Sequence, residues 1–232
     1  MTIDKDYRPN YIEQQLRLIL SAILDAERSF NLYKEIGSKT ASLEKFGLKN
    51  YFGLSQRAFL SHMIISVVSI FEEPSKKYPT ATLKEVIKRL QDKKQKLPKM
   101  DITRLAEARE ITSPTEGREI SIWDELSVND DNERAATDKL ATFLQTLTPQ
   151  NDEYWESLKF MRDKIFAHKE IIEDFKCKVT DEYIDSLLKK ARLAVKIIGK
   201  AYFAGFHVPI NDSRDHQEFA KLLNYLNKAQ ES

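Results

Sequence analysis

Three side chains in the segment "LKFMRDKIFAHKE", residues 158–170, are of types that do chemistry on a charged group. Arg162 is a permanent cation, Asp163 follows it directly, and His168 comes six positions after Arg162. Imidazole titrates near neutral pH and can accept or donate a proton. Guanidinium holds anionic oxygens through donors in a fixed fork. The segment thus carries a cation and a proton carrier on what reads as one helix.

Advancing about 100° per residue from Trp155 places Tyr154, Leu158, Met161, Ile165 and Phe166 on one apolar arc with it. Glu153, Glu156, Lys159, Asp163 and Lys164 lie outside that arc, and Arg162 lies within it. A buried guanidinium loses several kcal/mol of hydration unless it is answered. Arg162 therefore requires a carboxylate, carbonyl groups or an incoming anion. On a regular helix Arg162 and His168 are roughly 120° apart around the axis and about 9 Å apart along it. For both to act on one atom, the helix must break near Ala167 or a second copy of the chain must contribute. A two-fold axis past this surface would bring two arginines and two histidines together. The plainer reading is a structural arginine paired with a glutamate from another helix.

The elements that would position these residues read as α-helices. The chain has 232 residues, 41% hydrophobic and 31% charged, with a formal net charge of +1. That balance gives no global electrostatic argument for nucleic acid, although a local basic groove is compatible with it. Only 6 glycines and 7 prolines occur, strand-like alternation is rare, and 3.6-residue periodicity is extensive. An all-α, single-domain antiparallel helical bundle over 1–232 follows. The lone Cys177 excludes an intrachain disulfide and fits a reducing compartment. "MTIDKDYRPN" lacks the charge and apolar pattern of a signal peptide, and the run "MIISVVSIF" (63–71) is about half of what a membrane span needs. The expectation is a cytoplasmic protein with no membrane partner.

Along the chain, helices are predicted over about 9–34, with Pro9 in the first turn, and about 52–72, ended by Pro74. "TLKE" (82–85) has the form of a capping box, Thr82 capping and Glu85 reaching back, for a helix to about Lys96. Residues 98–130 form a weakly patterned insertion, in which "DITRLAEAR" and "SIWDELS" could each be a short helix. A helix from Asp130–Glu133 to about Thr146 follows. Thr148 and Pro149 look like the cap and first turn of the helix bearing Arg162. Thr180 caps a long helix to about Phe206, and a last helix covers about 214–229.

Other chemistry-bearing residues have plainer explanations beside functional ones. "KRLQDKKQKLPK" (88–99) could contact phosphates or be a solvated helix end. His62 shares a side with Ser55, Ala58, Ser66 and Ser69, a strip suited to a close helix contact or a cleft wall. His207 and His216 lack metal-site spacing, no other metal-ligand motif is present, and "AYFAGFH" (201–207) reads as core or dimer surface. No cofactor is expected.

"RDKIFAH" (162–168) resembles the Arg-x(4–6)-His motif of the HEPN superfamily, a group of helical-bundle domains. "MRDKIFAH" looks most like the abortive-infection AbiU-type branch, where a helix ending in an apolar-acidic segment, here "SVVSIFEEPSKK" (66–77), precedes the motif. The resemblance is loose over most of the chain and tight over about eight residues. It implies a metal-independent endoribonuclease of toxin–antitoxin, abortive-infection or CRISPR-linked defence. It also implies a homodimer with two motifs in one cleft, RNA as substrate, and a cognate antitoxin protein as a further partner. Carried over, Arg162 is the phosphate-binding cation, Asp163 the polar residue after it, and His168 the general acid/base.

The residue types suit that chemistry. Metal-free RNA cleavage needs a base for the 2′-hydroxyl proton and an acid for the leaving 5′-oxygen, and gives a 2′,3′-cyclic phosphate. Guanidinium can hold the extra charge of the phosphorane. The alternative is a non-catalytic HEPN-like binding or assembly module in which Arg162 closes an internal ion pair.

Overall fold

The computed structural model describes residues 11–74, 80–94, 97–107, 133–167, 178–209 and 214–231. Among them there is no strand, and the fold is an all-α helical bundle. Helix α1, Tyr11–Ser38, buries Leu16, Ile19, Ile23, Ala26 and Phe30 at helical spacing. A short α2, Thr40–Lys45, occupies the expected connector. Helix α3, Lys49–Phe71, runs antiparallel to α1: Ser29 Oγ meets His62 Nδ1 at 2.8 Å, and Gln56 donates to the Tyr33 carbonyl at 3.1 Å. By length and composition alone α3 could cross a bilayer, a property hidden when only 63–71 is counted. Its C-terminal part is nevertheless core, with Met63, Ile64, Val67, Val68, Ile70 and Phe71 buried.

Helix α4, Leu83–Gln91, starts as expected, with Thr82 Oγ1 accepting from Glu85 N at 3.1 Å. The reciprocal half of the capping box is replaced: the Glu85 carboxylate accepts from Arg89 Nε at 2.7 Å. The helix ends at Gln91, short of Lys96. Its last carbonyls are met from a distant helix, Arg134 donating to Gln91 O at 2.5 Å and Asp92 O at 3.3 Å. Helix α5, Ile102–Glu107, confirms the first short helix expected in the insertion, while "SIWDELS" and residues 108–132 lie outside the described residues. Helix α6 spans Glu133–Thr146.

Helix α8, Asp181–Tyr202, is capped by Thr180 as expected but stops short of Phe206. Phe203 is extended, Gly205 turns the chain at φ +77°, and Phe206 folds back over Gly199. A Cβ at Gly199 would lie 2.2 Å from Phe206 Cδ1, so only glycine admits that ring. The return is fastened by Arg192, which holds the buried Glu27 of α1 with two donors and donates to the Pro209 carbonyl. Helix α9, Arg214–Glu231, sets Phe219 and Leu223 against Ile36, Leu43 and Phe52 in a second, smaller cluster. Between α6 and α8 comes α7, which carries the candidate site.

Candidate functional site

Helix α7 covers Glu153–Phe160, and its cap is Asp152 rather than the expected Thr148 and Pro149. The Asp152 carboxylate accepts from Trp155 N at 2.7 Å and from Tyr183 Oη at 3.1 Å. Thr148 instead donates to the Gln145 carbonyl at 2.8 Å, closing off the preceding helix. A carboxylate is also the better partner for the positive helix end. Burial, then the charge and hydrogen bond of Asp152, raise the Tyr183 phenol pKa above its ordinary value, so it remains a donor. Removing the carboxylate in Asp152→Ala loses a cap and a phenol partner. We expect a cost of about 1–2 kcal/mol, read as a melting temperature lower by roughly 4 °C, with Asp152→Asn recovering most of it.

Trp155, Leu158 and Met161 are buried as the helical arc predicts. Trp155 meets Phe71, the last residue of α3, edge to face with centroids 6.1 Å apart. Tyr154 departs from the predicted arc: it is 37% exposed and stacks on Tyr183 at 5.2 Å. From Met161 to Ala167 the backbone continues as a π-helix. Its i→i+5 bonding widens each turn, so the roughly 120° separation expected of a regular α-helix does not apply beyond Phe160. Such widened turns are rare and concentrate at functional sites. His168 and the side chains of Ile165, Phe166 and Ala167 lie outside the described residues.

Arg162 is the second residue of the π segment and finds the anion it needs on α3. Its Nη1 donates to Glu72 Oε2, and its Nε donates to Asp163 Oδ1 at 2.5 Å. Burial disfavours the charged guanidinium, and the hydrogen bonds and charges of Asp163 and Glu72 outweigh it, raising the Arg162 pKa. The pair is not sealed in the core. Side-chain exposure is 23% for Arg162, 26% for Glu72 and 50% for Asp163. Nη2 makes no hydrogen bond among the described residues. The three side chains carry one positive and two negative charges, so an incoming phosphate must displace a carboxylate or share the fork. Asp163, the more exposed of the two, is the one a phosphate displaces at least cost.

Glu72 was not singled out by sequence reasoning. The signals for it were the anion that Arg162 required and the acidic end of "SVVSIFEEPSKK". Its backbone is well held. Glu72 N closes on the Val68 carbonyl, Phe71 before it is fully buried, and neighbouring Glu73 pairs with Lys84 at 2.8 Å.

The other candidates take their plainer readings. His62 reaches Ser29 in the α1–α3 contact. Arg89, in the basic run, pairs with Glu85 and covers the Tyr11 ring at 4.3 Å. Tyr202, Phe203 and Phe206 are core, with Tyr202 Oη 2.9 Å from Thr137 Oγ1. Among the described residues no group of three or more His, Cys, Asp or Glu is placed to hold a metal ion.

An all-α helical bundle is the fold expected of a HEPN domain. A family model described as AbiU2 (HEPN_AbiU2) matches residues 10–225. The chain belongs to the AbiU2 family of HEPN domains, which places it at the family level among abortive-infection proteins. No curated protein and no solved structure matches it.

Proposed function

We propose that the chain is a metal-independent endoribonuclease that acts in the cytoplasm in prokaryotic defence or as a toxin. It works as a homodimer whose two motif helices face one cleft. The observation that carries this reading is the partly exposed guanidinium of Arg162, held by Asp163 through Nε and by Glu72 through Nη1, while Nη2 between them is left for a phosphate. Fixed donors of this kind stabilise the charge that grows on a phosphorane. His168 supplies proton transfer, and Asp163 yields Nε when the phosphate arrives.

The reading is tested by incubating RNA with the purified chain in EDTA beside His168→Ala. We expect cleavage by the wild type and a loss of about 10²–10⁴-fold in the variant, the usual worth of a general acid or base. Equal cleavage by both would remove His168 from the site.

The Glu72–Arg162 pair favours a second reading, a non-catalytic binding or assembly module with a structural arginine. That module cleaves no RNA, and its Arg162→Ala variant is strongly destabilised. A cognate antitoxin protein fits either reading, as a partner covering the same surface.

A further inference from the structure

Cleavage of RNA through its own 2′-hydroxyl needs two proton-transfer groups, and the motif supplies one imidazole per chain. A second copy of His168 is one source of the other. Glu72 offers another within the same chain. Glu72 touches Arg162 through Oε2, and Oε1 makes no hydrogen bond among the described residues. Its side chain is partly open to solvent. Its backbone is fixed by the last turn of α3, between buried Phe71 and the Glu73–Lys84 pair.

Substrate geometry makes that proximity useful. The attacking 2′-oxygen is joined to the scissile phosphorus through C2′, C3′ and O3′ of one nucleotide. A phosphate on Nη2, and on Nε once Asp163 yields it, therefore brings its own 2′-hydroxyl within a few ångströms of Nη1, where Glu72 sits. The arginine can hold the phosphate through Nη2 while Glu72 stays on Nη1.

We infer that Glu72 is the general base of this reaction, an inference that rests on the ribonuclease reading above. Its carboxylate takes the 2′-hydroxyl proton. The 2′-oxygen forms a bond to phosphorus and the bond from phosphorus to the 5′-oxygen breaks. That oxygen leaves with a proton from the His168 imidazolium. The products are a 2′,3′-cyclic phosphate and a 5′-hydroxyl, with Glu72 protonated and His168 neutral until each exchanges with water. Each chain then carries both proton carriers, and the second copy completes the RNA cleft instead of supplying the base.

The experiment is steady-state cleavage of a fluorescent RNA in EDTA across pH, by wild type, Glu72→Gln and Glu72→Asp. Glutamine keeps an oxygen to accept from Arg162 and cannot take the proton. We expect Glu72→Gln to lose about 10²–10⁴-fold in kcat with KM held within about threefold, and Glu72→Asp to recover part of the rate. Among the described residues the charged groups around Glu72 are Arg162 and Asp163 on the π segment, Glu73 beside it and Lys84 on α4. The acid limb of the wild-type kcat profile, which reports the base, is absent from Glu72→Gln.

An acid limb that persists in Glu72→Gln as in the wild type would overturn the assignment, because it marks another group as the base. Glu72→Gln cleaving as fast as wild type, or faster, would also overturn it, the faster case marking Glu72 as a latch on Arg162. Wild type that cleaves no RNA would overturn the ribonuclease reading and this inference with it, so the two failures are told apart.

Discussion

Arg162→Ala is expected to cut cleavage sharply and to leave the fold standing. With the phosphorane's charge unanswered, kcat falls about 10²–10³-fold, the loss seen when one preorganised donor to a developing oxyanion is removed. The stability change is small because the ion pair is partly solvated: Glu72 and Asp163, freed of their partner, turn to water at 26% and 50% exposure. Exposed pairs are worth about 1 kcal/mol or less, so the melting temperature moves by only a few degrees. A binding module with a structural arginine predicts the reverse, no activity to lose and a marked loss of stability. Measuring cleavage rate and thermal denaturation on one preparation separates the two.

The largest effect on stability is expected from Trp155→Ala. Trp155 is 2% exposed, and its ring packs edge to face against Phe71. Truncating a buried aromatic to alanine costs about 3–5 kcal/mol in transfer and cavity terms together. For a domain of this size that lowers the melting temperature by roughly 10 °C. The substitution also acts on the site, because Phe71 precedes Glu72 and Trp155 lies two turns before Arg162. The two halves of the ion pair are set by one ring contact. Cleavage by the fraction still folded falls as well, and Trp155→Phe, which keeps a ring against Phe71, restores most of both. Calorimetry with a cleavage assay below the transition checks this.

Much of this was legible because it is local. The 3.6-residue periodicity of Ile12 through Ala26 fixes the buried face of α1 without knowledge of its partners. Thr82 and Thr180 cap their helices by hydrogen bonds to residues three positions on, which a sequence shows directly. What was misread depends on distant partners. Thr148 with Pro149 made a plausible start for α7, but Asp152 also gains Tyr183 from α8, 31 residues away. Helix α4 looked longer because the arginine that ends it, Arg134, stands 43 residues beyond Gln91.

The site divides in the same way. A helical projection shows that Arg162 needs an anion, since burying a cation has a known cost. It cannot show which anion, because Glu72 lies 90 residues earlier in the chain. Nor does a projection at fixed angular advance foresee the π-helix from Met161, whose widened turns change how Arg162 presents its fork.

The ends of the RNA report the proposed chemistry. A 5′-labelled RNA is incubated with the wild-type chain in EDTA, and the fragments are analysed by mass. Metal-independent cleavage through the 2′-hydroxyl gives fragments ending in a 2′,3′-cyclic phosphate, with 5′-hydroxyl partners. Intact RNA, fragments with 5′-phosphate ends, or cleavage that appears only when a divalent metal is restored would contradict it.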